Sequence, residues 1–139
     1  MNKFIPKNFK YKKIHKKVYI KNLTYYRFNY LKKNTYGLKI LTNGLLSSEI
    51  LEAIRQSIKR KIKKLGTLKI NVYPNLPITR KSNGMRMGKG VGNIDKWIYP
   101  LKKGLILLEI SGLSLNTAKL ALKSASYKLP VKSKFISFK

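Results

Sequence analysis

The chain of 139 residues contains no cysteine, a single histidine and only four acidic side chains. Each scarcity closes off a chemistry. Without cysteine there is no disulfide, no thiolate zinc site and no cysteine nucleophile. His15 alone cannot assemble a multi-histidine metal centre, so no metal and no cofactor is expected. The four acids are Glu49, Glu52, Asp95 and Glu109. Acid–base work by paired carboxylates needs two carboxyl groups aimed at one substrate. Glu49 and Glu52 fall together at the start of one predicted helix, whose dipole accounts for both, while Asp95 and Glu109 stand apart on predicted strands. The residue set is therefore not that of an enzyme. Long apolar runs are also missing. Leu105-Ile106-Leu107-Leu108 is the longest clear run, far short of the roughly 20 residues a membrane-crossing helix requires. Residues 1–33 hold one arginine and no serine, unlike an arginine- and serine-rich presequence. They read as part of the working protein.

What the chain has in abundance is positive charge. Lys and Arg number 32, for a formal net charge of +28. Such an imbalance opposes compaction by self-repulsion unless a polyanion neutralises it. Nucleic acid is the leading partner, because each neutralised phosphate releases condensed counterions. An anionic membrane surface is the second candidate. Lysine outnumbers arginine 27 to 5, and Asn, Ile and Tyr are frequent. These residues share AT-rich codons, which suggests an AT-rich genome of the kind organelles carry.

Residues 1–33 carry eleven basic side chains, no acid and eight aromatics. Basic groups interleaved with aromatics suit RNA, where they hold phosphates and stack on unpaired bases. Residues 1–35 are expected to form a basic, aromatic-rich extension, and 36–139 the globular domain. In that domain a short strand is expected over 36–41, closed by the Asn43-Gly44 turn signal. Ser47 is a good helix N-cap. Ile50, Leu51, Ile54, Ile58, Ile62 and Leu65 then recur at helical spacing, and Gly66 fits the stop position. Leu68, Ile70 and Val72 alternate with polar residues as a strand. Pro74 and Pro77 open a long loop, 74–93. Further strands are expected over 93–99, 105–110 and 134–138, with a second helix from about Ser114 to before Pro130. Two helices and about five strands without regular βαβ alternation imply an α+β fold with the helices packed on a mostly antiparallel or mixed sheet.

Within the long loop, Gly84-Met85-Arg86-Met87-Gly88-Lys89-Gly90-Val91-Gly92 places four glycines in nine residues. Glycine lets a backbone approach another polymer closely, and Arg86 and Lys89 add charge at the same place. Nucleotide-binding motifs do not match. Only three residues separate Gly84 from Gly88-Lys89, and Gly90 stands where a P-loop needs a hydroxyl. The Gly-x-Gly-x-Gly spacing of Gly88, Gly90 and Gly92 also departs from the dinucleotide fingerprint.

Pro74-Asn75-Leu76-Pro77-Ile78-Thr79-Arg80-Lys81, followed by Arg86-Met87-Gly88-Lys89-Gly90-Val91-Gly92-Asn93, resembles the signature loop of the bacterial-type large-subunit ribosomal protein L-sixteen family. Lys12-Lys13-Ile14-His15-Lys16 is similar to that family's basic N-terminal motif. Tyr36-Gly37-Leu38-Lys39, Trp97 and Lys128-Leu129-Pro130-Val131-Lys132 match further segments in order. The resemblance spans residues 10–17 and 36–138. It implies an α+β domain bound to large-subunit ribosomal RNA near the peptidyl transferase region and the aminoacyl-tRNA site, with neighbouring ribosomal proteins as further partners. It also implies a part in late subunit assembly, with the peptide-transfer chemistry left to RNA. Carried over by position, Lys12, Lys13, His15, Lys16, Lys17, Lys39, Arg80, Lys81 and Lys132 are expected to contact RNA. Arg86, Met87, Gly88, Lys89, Gly90 and Gly92 are expected to face tRNA and the active centre. Val91 stands where the family commonly has lysine, and Lys17 where it has glycine. Residues 18–33 show little likeness. With the codon bias, these departures favour a mitochondrial ribosome, with plastid and bacterial settings as alternatives. A free-standing nucleic-acid-compacting protein is the competing function. A membrane-active protein working through residues 47–65 is a third.

Overall fold

Helix α1 (Ser48–Ile62) starts where Ser47 leaves an extended backbone and its hydroxyl accepts the Ile50 amide at 3.4 Å, satisfying one orphan donor of the first turn. Glu49 lies in that first turn and Lys59, Arg60 and Lys61 in the last, so both ends complement the helix dipole. Leu51, Ile54, Ile58 and Ile62 form the buried stripe. The helix closes earlier than its sequence suggests. Lys63 takes a left-handed backbone with φ 54° while its amide still bonds the Lys59 carbonyl. Leu65, expected on the stripe, lies beyond the helix and is 76% exposed. Gly66 is not the stop residue; it marks a close crossing. A Cβ there would sit 2.8 Å from both the Leu113 side chain and the Ser111 carbonyl.

The computed structural model describes residues 4–6, 12–14, 30–63 and 65–138. Its other elements are β1 (Thr35–Ile40), β2 (Gly44–Ser47), β3 (Thr67–Ile70), β4 (Leu76–Arg80), β5 (Asn93–Leu101), β6 (Ile106–Ser111), α2 (Leu115–Ser126) and β7 (Ser133–Phe138). Among the described residues this is the expected α+β class: two helices and seven strands in two sheets whose pairings are all antiparallel. One sheet has the order β3-β6-β1-β7 and the other β2-β5-β4.

The expected strand count was too low by two, for separate reasons. Asn43-Gly44 does bend the chain, but Gly44 itself begins β2, paired with the far end of β5. Strand β4 contains Pro77, in a stretch that reads as loop. Proline lacks the amide a central strand needs, yet β4 is an edge strand paired only with β5, where proline is tolerated.

The core lies between the helices and the inner face of the four-stranded sheet. Leu38 stands opposite Leu108 on one side and Phe135 on the other, and Tyr36 stands opposite Ile110. Tyr36 and Phe135 stack with ring centroids 6.0 Å apart. A bulge between Leu38 and Lys39 slips the β1–β6 register, so Leu107 and Leu108 both join the core. Ile106 is thereby carried opposite Lys39. Ala118, Ala121 and Ala125 of α2 are buried, and these small side chains let α2 lie against α1.

Glu109, expected to be isolated, is not. It is buried at 6% exposure and accepts from the Asn71 amide at 2.7 Å, with the Lys69 ammonium 3.7 Å away. Burial of a carboxylate demands such partners.

Candidate nucleic-acid interface

Strands β4 and β5 form an arm whose last pair is Arg80 with Asn93, and residues 81–92 make the loop between them. A bulge at Ile78/Thr79 leaves Asp95 without an opposite residue just inside the arm. At the loop root Gly92 is required by space. A Cβ there would fall 2.3 Å from the Arg80 carbonyl oxygen and 2.7 Å from the Lys81 amide, distances no real side chain tolerates. The tip is the opposite case. Gly84, Gly88 and Gly90 have nothing within 4 Å of a hypothetical Cβ. Their φ values of 85°, 94° and 89° lie in the left-handed region, and Lys89 joins them at 50°. Gly88-Lys89-Gly90 is thus a continuous left-handed turn, a path that two flanking glycines make accessible.

Two lysines organise this loop by bonding its backbone. Lys81, a half-buried residue at the start of the loop, donates through its ammonium to the Gly88 carbonyl. Lys13 donates to the Val91 carbonyl at 3.3 Å, across 78 positions of sequence. The N-terminal basic motif and the glycine loop therefore meet. Arg86 and Lys89 are exposed. Met85 and Met87 flank Arg86 and are 64% and 91% exposed. The tip consequently presents cations and apolar thioethers outward.

The remaining expected residues are spread over the molecule. Lys12 is exposed beside Lys13. His15, Lys16 and Lys17 lie outside the described residues. Lys39 sits half-buried on the outer face of the four-stranded sheet. Lys132 is exposed between α2 and β7, with its backbone amide bonded to the Thr42 hydroxyl at 3.1 Å. Lys134, which the sequence reading passed over, lies directly opposite Lys39. Alternation along β7 was legible, but its partner strand was not. Among the described residues no group of three or more metal-ligating side chains occurs, and no helix is long and apolar enough to cross a membrane. The buried α1 stripe removes the premise of membrane binding through residues 47–65.

An α+β platform presenting a glycine-turned cationic arm, in a chain so poor in acid, defines a class of RNA-associated structural proteins. The sequence profile of the family described as Ribosomal protein L16p/L10e matches residues 6–136, and the chain belongs to that family. It is similar to the large ribosomal subunit protein uL16 of Buchnera aphidicola subsp. Baizongia pistaciae, 42% identical over 132 residues and 95% of each chain. The uL16 of Buchnera aphidicola subsp. Cinara cedri is 41% identical over the same coverage. That of Leptospira biflexa is 40% identical over 110 residues, 79% of this chain and 80% of its own. The chain is accordingly a structural constituent of the large ribosomal subunit and not an enzyme. Ribosomal RNA and other ribosomal proteins are its partners as a class.

Proposed function

We propose that the β4–β5 arm and the Lys12-Lys13 segment form one surface on large-subunit ribosomal RNA, with the loop tip directed toward the peptidyl transferase region and aminoacyl-site tRNA. The observation that carries this reading is the glycine turn at Gly88-Lys89-Gly90, whose side-chain faces at Gly88 and Gly90 meet no atom of the chain within 4 Å and which carries exposed cations. Arg86 and Lys89 neutralise phosphates there, and the bare backbone of the turn admits close approach. Lys81 and Lys13 hold the loop so that less ordering is required on binding. Arg80, Lys39, Lys132, His15, Lys16 and Lys17 extend the phosphate contacts over residues 36–139 and the extension 1–35. The same surface supports late maturation of the subunit and the positioning of tRNA. The AT-rich composition supports a mitochondrial ribosome as the setting. The relatives compared are bacterial, so the ribosome of an AT-rich bacterium is the competing setting, which subcellular fractionation distinguishes.

The test is sedimentation of tagged protein through a sucrose gradient at high salt. Stoichiometric migration with the large subunit, with crosslinks from Arg86 or Lys89 to RNA of the active centre, is expected. Migration with DNA, or release to the top, would instead favour the free-standing nucleic-acid-compacting protein.

A further inference from the structure

The register of β1 and β7 places Lys39 directly opposite Lys134. Opposed residues of an antiparallel pair share one face with Cβ atoms about 5 Å apart, where like charges destabilise the sheet. All four acidic side chains of the protein fall within the described residues, so the side-chain counter-charges are known. Glu49 and Glu52 are on α1 and Asp95 is on β5. Glu109 shares the face, opposite Gly37, but its carboxylate is engaged by Asn71 and Lys69. Lys39 and Lys134 therefore have no side-chain carboxylate beside them.

A lysine on an edge strand can serve simply to discourage pairing with other chains. That accounts for Lys134 on β7. It does not account for Lys39, because β1 is paired on both sides. The same face carries Phe138, opposite Thr35 and 47% exposed. Ile136 lies between them, half-buried opposite Gly37. On β1 the Leu31 side chain lies over Gly37 and Thr35 is buried, so the face is open along β7, where two ammonium groups and an exposed ring combine phosphate neutralisation with base stacking.

We propose that the outer face of β7, with Lys39 beside it on β1, is a second RNA-binding surface, distinct from the arm, which takes an unpaired RNA segment. Lys39 and Lys134 hold its phosphates and Phe138 stacks on a base. This inference rests on the RNA-binding reading above, and the test separates the two.

The full chain is titrated with a single-stranded oligouridine and with a large-subunit ribosomal RNA transcript across a salt series. Lys39→Ser/Lys134→Ser, Phe138→Leu and, as comparator, Arg86→Ser/Lys89→Ser are measured beside it. The sheet-face double variant should flatten the slope of log affinity against log salt for oligouridine by about 1.4, or 0.7 for each lost phosphate contact. Its urea midpoint should hold or rise, since a repulsion is removed. Phe138→Leu should weaken oligouridine binding about fivefold or more. Unchanged slope and affinity in both sheet-face variants would overturn the proposal. Normal binding to both RNAs with lost incorporation into the subunit would overturn it in favour of a protein partner on this face. If the unaltered chain bound neither RNA, the broader RNA-binding reading would fail first.

Discussion

The helix-covered half of the molecule and the β4–β5 arm are built on opposite rules. Under the helices, Leu38, Ile54, Leu108 and Ala121 are all at 1% exposure or less, and each position is set by what it touches. Along the loop, residues 82–91 are all exposed, and a Cβ at Gly84, Gly88 or Gly90 would meet nothing within 4 Å. The buried residues of the first region stabilise the fold and are closed to partners. The second contributes little to stability, so its sequence is available to answer to something outside the chain. Loops held by a rigid scaffold commonly carry function for this reason.

The strongest way to break this contrast is to damage the packed half. Ile54→Ala removes a fully buried side chain and should destabilise by about 2–5 kcal/mol, measured by urea unfolding. RNA affinity well below the midpoint should barely move. A loss of affinity matching the loss of stability would show that the halves are not independent.

Gly92 and Gly88 sharpen the comparison inside the arm. Gly92→Ala drives a methyl group into the Arg80 carbonyl and should cost about 1–3 kcal/mol of stability. Gly88→Ala meets no neighbour but is strained at a φ of 94°, a local cost of about 1–2 kcal/mol that the exposed loop can shed by changing its path, so global stability should fall less than for Gly92→Ala. Binding to the ribosomal RNA transcript should nevertheless weaken. Equal destabilisation by the two substitutions would refute the division between root and tip.

The smallest effect on the fold is expected from Arg86→Ser/Lys89→Ser. Unfolding should be unchanged within about 0.5 kcal/mol. The salt slope for the transcript should fall by about 0.7–0.9 for each cation that meets a phosphate. An unchanged slope would remove the tip from the RNA surface.

Much of the packed half was readable in advance, because local rules and burial agree there. Ser47 begins α1, the Leu51–Ile62 stripe is buried, and β5, β6, α2 and β7 lie close to where periodicity placed them. The misses share a cause. β2 and β4 are strands by virtue of pairing with β5, and their own residues spell turn and loop. Helix α1 ends at Lys63 with a positive φ that its side chain does not favour, and Gly66 then fits against Leu113 and Ser111 where a Cβ would not.

The candidate interface divides in the same way. Its charge, its glycine turn and its family membership follow from the order of residues alone, since they depend on composition and short spacing. Three features needed the fold: Lys13 against Val91, Lys81 turned inward on Gly88, and Lys39 facing Lys134. Each joins positions that no local periodicity connects. Strand register and chain crossing are settled by long-range packing, and only the tertiary structure decides which lysines are free to meet a partner and which hold the protein's own backbone.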